Sequence, residues 1–234
     1  MAASIGMIVP PTNTVNEAEW RQMAPDLSFP LLRMPLHADA DDAFFAELRV
    51  FLKEIVAEKP DVIAYACTAS SMVLPLDRLP KFIEKESGVP GVATAPALVL
   101  AARALGLKKV AVATPYHDAL NQHEKEFLEA CGLQVLGIRG LGIGAGGAQE
   151  YVQIAKVAPE QVYAHCRAAW VPGADGMIIS CTDFRALEAV PRLERELGVP
   201  VVSSNLATLW MALRAAGSGT RPRGFGRLLD ELSG

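Results

Sequence analysis

Six short apolar runs recur along the chain, at 4–9 (SIGMIV), 30–34 (PLLRM), 61–66 (DVIAYA), 109–114 (KVAVAT), 176–180 (GMIIS) and 199–204 (VPVVSS). Each is a few residues long and reads as a strand buried on both faces. Between them lie segments in which apolar residues return every three or four positions, at 40–58, 117–131, 159–170 and 185–197. That spacing predicts amphipathic helices. Alternation of the two patterns predicts the α/β class, with mostly parallel sheets covered by helices.

The pattern also repeats. ESGVPGVATAPALVLAARALG from Glu86 has a counterpart in ELGVPVVSSNLATLWMALRAAG from Glu196, an offset of 196 − 86 = 110. The Cys-Thr pairs at Cys67 and Cys181 are 181 − 67 = 114 apart, so both fall at corresponding places in the two copies. Each copy reads as strand, Cys-Thr loop, helix, Gly-Val-Pro, strand, polar loop, helix. Two similar α/β lobes follow, with residues 1–97 plus 206–234 expected in one and 98–205 in the other.

Composition narrows the partners. The chain has 234 residues, 51% apolar and 21% charged, with a formal charge of −4. Neither nucleic acid nor an anionic membrane surface is expected to attract it. The start of the sequence lacks a basic region followed by a long apolar stretch, and no run reaches the roughly 20 apolar residues of a spanning helix. A cytoplasmic location is expected. There Cys67, Cys131, Cys166 and Cys181 are reduced, and none lies in a C-x-x-C pair or at zinc-ligand spacing. No metal site is expected.

In an open parallel sheet, ligands collect beyond the carboxyl ends of the strands. Cys67 and Cys181 fall there, each followed by a threonine and an expected helix start, whose dipole would favour the thiolate. Other strand-end loops carry Thr12 and Asn13, Tyr116, and Ser204. Hydroxyls, an amide and helix N-terminal N–H groups suit a small anion, although the same residue types are common helix caps. Cys131 and Cys166 sit inside helical patterns and read as packing residues. The cluster GLGIGAGGAQE at 140–150 contains the letters of G-x-G-x-x-G, but without an acidic residue on a following strand end it reads better as a flexible loop or lid. The four histidines read as surface or capping residues.

Taken together, GMIVPPTNT, YACTASSMV, VATPY and IISCTDF…VPRLERELGVPVVSSNLAT resemble the aspartate/glutamate racemase superfamily, and within it the maleate cis-trans isomerase and arylmalonate decarboxylase branch, from about residue 5 to residue 217. The resemblance implies a cofactor-independent enzyme of two pseudo-symmetric Rossmann-like lobes, each a mostly parallel sheet flanked by helices, with one cysteine from each lobe facing a small carboxylic acid in an active site in the cleft between them, and a homodimer or tetramer. By position it implies catalytic Cys67 and Cys181, with Asn13, Thr12, Thr68, Tyr116, Thr182 and Ser204 binding substrate. In maleate isomerases the first cysteine adds to the alkene and the second handles the proton. Arylmalonate decarboxylases carry glycine at the first position, and glutamate racemases differ at Thr68 and Asp183. Where maleate isomerases place a carboxylate-binding asparagine, this chain has Tyr151 or a neighbour. Maleate-type isomerisation of a dicarboxylic acid is therefore the leading expectation. Racemisation of aspartate, glutamate or a hydantoin is the alternative; decarboxylation and non-catalytic binding of a small acid stand behind it.

Overall fold

The computed structural model describes residues 3–37 and 40–232; residues 1, 2, 233 and 234, at the ends of the expected first lobe, lie outside it. Eight strands form two four-stranded, all-parallel sheets. The first holds β1 (Ile5–Val9), β2 (Leu31–Arg33), β3 (Val62–Tyr65) and β4 (Gly91–Ala93), in the order β2-β1-β3-β4. The second holds β5 (Lys109–Ala113), β6 (Gln134–Arg139), β7 (Gly176–Ile179) and β8 (Val201–Ser203), in the order β6-β5-β7-β8. The orders are the same once each first strand is aligned. Registers match as well, Met7 pairing with Ala64 in one sheet and Ala111 with Met177 in the other.

β1, β3 and β7 are buried along their whole length, as runs without polar alternation require when helices cover both faces. The helices are α1 (Asn16–Met23), α2 (Asp42–Ile55), α3 (Arg78–Ser87), α4 (Thr94–Ala104), α5 (Asp118–Ala130), α6 (Pro159–Ala169), α7 (Ala189–Leu197), α8 (Ser204–Ala215) and α9 (Arg227–Leu232). Asp41 caps α2 by accepting the Phe44 N–H at 2.9 Å and so satisfies one of the helix's unpaired donors. Below that cap, Phe44, Leu48, Leu52 and Ile55 pack on Ile8 and Ile63.

The repeated Gly-Val-Pro has a simple origin. Gly88 (φ +72°) and Gly198 (φ +74°) end α3 and α7 in the left-handed conformation, which glycine adopts without a Cβ clash. Proline two residues later prevents the helix from resuming and leads into β4 or β8. The lobes then meet through α4 and α8, which bury Ala95, Ala97, Ala101 and Ala102 on one and Ala207 and Ala212 on the other. The Thr208 hydroxyl donates to Thr94 Oγ1 at 3.1 Å across this contact. Because the strands β4 and β8 run directly into these helices, their packing sets how the two sheet ends face each other.

Three expectations need correction. β6 lies in a segment that the apolar pattern passes over, because Gln134, Gly137 and the half-buried Leu136 and Ile138 dilute it at the sheet edge. No α-helix starts directly after either Cys-Thr pair: Cys67 is followed by one 3-10 turn, Ala69–Ser71, and the loop after Cys181 runs on until α7 begins at Ala189. The C-terminal segment, expected with the first lobe, places α9 against α8 and β8, and the Arg227 N–H bonds Glu194 of α7. Among the described residues no helix is long and apolar enough to cross a membrane.

Candidate active site

Cys67 and Cys181 line one cleft of about 400 Å3 at the facing strand ends of the two sheets. Thr12, Asn13, Thr68, Tyr116 and Thr182 line it with them. Both thiols are unpaired and nearly covered, at 6% and 7% exposure. The N–H groups of Thr68 and Thr182 have no protein acceptor among the described residues, which leaves donors at both thiols for an anion.

The walls are fastened across the lobes. Asn13 Nδ2 donates to Thr182 Oγ1 at 3.0 Å, and the Thr182 hydroxyl donates to the Ala66 carbonyl at 3.2 Å. Asp183 Oδ1 accepts the N–H groups of Thr14 (2.7 Å) and Val15 (3.0 Å). Ser204 is fully buried and absent from the cleft wall; its hydroxyl is shared between Thr68 Oγ1 (2.9 Å) and the Cys181 N–H (3.0 Å). One side chain at the start of α8 thus orients both cysteine loops. Beneath them, Glu19 of α1 accepts the Leu187 N–H and the Asn205 amide, which also donates to the Thr182 carbonyl. Burial raises the Glu19 carboxyl to about 7.

The two thiols differ in surroundings. Cys67 donates to Ser70 Oγ at 3.5 Å, and the Ala69 and Ser70 N–H groups face its sulfur. Burial pushes its pKa up, while these donors pull it back toward ionisation. Cys181 is pushed much further up, first by burial and also by the charges of Asp183 and Cys67; the Tyr116 hydroxyl and the Asp183 N–H (3.4 Å) oppose this. The expected helix dipole is replaced at both thiols by individual N–H and O–H donors. Cys181 also has φ +113°, a region costly for any residue with a Cβ and often found at functional sites.

Several cleft residues were missed: Ser70, Asp183, Leu36, Leu120 and Ile154, together with His37 and His123. The only signal for Ser70 is its place three residues after Cys67. His37 bonds Glu47. His165 is buried, its Nε2 placed on the carbonyls of Thr114 and Arg139, and burial lowers its pKa. It is therefore a core residue and not a surface one. The glycine cluster follows a strand after all, β6, but leads into a 3-10 segment, Ala148–Lys156. Glu150 accepts the Gly144 and Gly146 N–H groups at 2.9 and 3.2 Å. Donors that a dinucleotide phosphate would need are thus already engaged. The segment brings Ala148, Tyr151 and Ile154 into the cleft wall.

A family model described as Arylmalonate decarboxylase matches residues 5–229. This chain belongs to that family. It lies in the arylmalonate decarboxylase and maleate isomerase branch of the aspartate/glutamate racemase superfamily and is an enzyme of that kind. It is 33% identical to an arylmalonate decarboxylase from Bordetella bronchiseptica over 97% of each chain. Among solved structures it is similar to a cysteine-to-serine variant of Nocardia farcinica maleate cis-trans isomerase with a covalently bound succinylcysteine intermediate (TM-score 0.87, 27% identity, 99% of each chain). It is also similar to a liganded arylmalonate decarboxylase in which a glycine is replaced by cysteine and a cysteine by serine (TM-score 0.86, 32% identity, 98% of this chain and 100% of that one). The two matched four-stranded sheets of this family member thus frame a cleft with two thiols.

Proposed function

We propose that the protein is a cofactor-independent cis-trans isomerase of a small unsaturated dicarboxylic acid of the maleate type. The observation that carries the reading is the pair of unpaired cysteines, from matching strand ends, lining one cleft. Cys67 adds as thiolate to one alkene carbon and the electron pair moves onto the adjacent carboxylate, giving an enediolate. The carbon–carbon bond is then single and rotates; expulsion of the thiolate leaves the trans acid. Cys181, the thiol opposite, gives its proton to the enediolate carbon, which yields the succinyl thioether, and takes it back before the Cys67 thiolate leaves, so that no net proton is transferred. The N–H groups of Thr68 and Thr182, with the Tyr116 hydroxyl, stabilise charge that grows on the carboxylate during addition.

Two features support this division of roles. Cys67 is met by N–H and O–H donors without a carboxylate contact, whereas Cys181 has Asp183 beside it. The Nocardia isomerase, a relative with the same fold, carries a covalent succinylcysteine, the adduct expected from such addition. Proton NMR of maleate in deuterated buffer tests the reading: conversion to fumarate that disappears in Cys67→Ala supports it, and full turnover by that variant sinks it.

The second reading is decarboxylation of an arylmalonate. Leu36, Leu120 and Ile154 on the cleft wall favour it, since they suit an apolar substituent better than a second carboxylate. Release of carbon dioxide from phenylmalonate, with maleate untouched, decides for it. Racemisation would instead show solvent deuterium at a saturated α-carbon of aspartate, glutamate or a hydantoin.

A further inference from the structure

Outside the cleft wall, two buried groups stand without partners beside the Cys181 loop. Glu124 of α5 is 1% exposed and Ser180, the residue before Cys181, is 0% exposed. Neither carboxylate oxygen of Glu124 nor Ser180 Oγ makes a well-formed hydrogen bond. Leaving a carboxylate in this condition is costly unless it takes a proton. The Ser180 hydroxyl is the single neighbour that favours the charged form, and burial, the larger effect, raises the Glu124 carboxyl to about 7.

The groups of the surrounding elements are otherwise committed. From the loop after β5, the Tyr116 phenol lines the cleft with Cys181, and burial first, then the Cys181 and Glu124 charges, push its pKa up. Along α5, the Asn121 amide bonds Thr114 Oγ1 and the Tyr116 carbonyl, His123 is at the cleft wall, and Lys125 pairs with Glu129. From α6, His165 lies on the carbonyls of Thr114 and Arg139. No cation pairs with Glu124 among the described residues.

We propose that Glu124 and Ser180 form a buried proton-holding pair whose charge state, transmitted through Tyr116, sets how readily Cys181 gives up its proton. Glu124 is a positioning residue: it touches neither the cleft nor the substrate. While it is neutral, the Tyr116 hydroxyl is free to support a growing Cys181 thiolate. Once it is ionised, a second negative charge beside Tyr116 opposes that thiolate and keeps Cys181 a thiol. The inference rests on the reading of Cys181 as the proton-handling thiol, but its test requires no substrate.

In a Cys67→Ser background, the alkylation of Cys181 by iodoacetamide is followed against pH, with the modified peptide identified by mass. At pH 8 the added Glu124→Gln change is expected to raise the rate about tenfold, the effect of one pKa unit on the thiolate population. At pH 6, where Glu124 already holds its proton, the two rates converge. Ser180→Ala removes the one donor that favours the charged carboxylate, so the pH at which its profile bends moves upward; this readout stands even if the glutamine variant fails to fold. Superimposable profiles for Glu124→Gln and its parent, or an unmoved bend in Ser180→Ala, overturn the proposal. If the profiles diverge while the enzyme with both cysteines intact does not convert maleate, the isomerase reading falls and this one stands.

Discussion

The loops carrying Cys67 and Cys181 occupy equivalent strand ends in equivalent sheets, yet they present their sulfurs to different chemistry. Around Cys67 the loop curls into a 3-10 turn that turns N–H groups and the Ser70 hydroxyl toward sulfur. Around Cys181 the chain stays irregular, the backbone is held at φ +113°, and a carboxylate and a phenol are neighbours. A shared fold therefore fixes where two thiols stand, and the few residues that follow each strand determine which one ionises more easily. Symmetric position is paired with unequal surroundings.

The sharpest way to break the comparison is to remove each thiol in turn. Cys67→Ala is expected to lower kcat on maleate by roughly 10³-fold or more, as loss of a covalent nucleophile does; Cys181→Ala is expected to cost about 10²- to 10⁴-fold, the range for a positioned acid or base. Mass spectrometry adds the qualitative contrast, with a substrate adduct on Cys67 and none on Cys181. Equal adducts on both would show that the loops are interchangeable. Tyr116→Phe comes next, since removing one donor to a developing charge costs about 10²- to 10³-fold.

Stability provides the smaller effects. Glu19 and Glu124 titrate in the folded protein at about 7, above the ordinary carboxylate value near 4.3. Between those values the unfolded chain has released protons that the folded chain retains, so stability falls as pH rises through that interval, by up to about 3 kcal/mol for each group. Urea unfolding at pH 5 and pH 8 measures the loss, and Glu124→Gln should flatten its share. The backbone contrast is smaller still. At position 181 glycine should be more stable than alanine by about 1 kcal/mol, because it relieves the positive φ. At position 67, where φ is not positive, the order should reverse.

Much of this architecture was legible before any coordinates. Parallel strands buried on both faces leave uninterrupted apolar runs, and the helix-ending glycines Gly88 and Gly198 give the repeat its Gly-Val-Pro mark. Both thiols could be placed for the same reason, since a Cys-Thr pair directly after such a run lies at the strand end. Residues whose meaning lies in a partner far along the chain were not legible. Ser204 looks like any helix-initiating serine until it is seen between Thr68 and Cys181, 136 and 23 residues away. Glu124 occupies an ordinary helical position and reads as solvated until the strand behind it removes water. The helix starts expected after Cys67 and Cys181 failed because Thr, Ser and Asp stabilise tight turns as readily as helix caps.

The Ser204 hydroxyl has a consequence for how such a chain can vary. Two similar units in one chain could vary independently, but here one oxygen from the second unit fastens the cysteine loop of each. Neither half retains a complete site if separated, and a change in one loop alters the tolerance of the other. The two repeats are thereby coupled through one oxygen: a substitution that moves Ser204 disturbs the loops of both thiols at once.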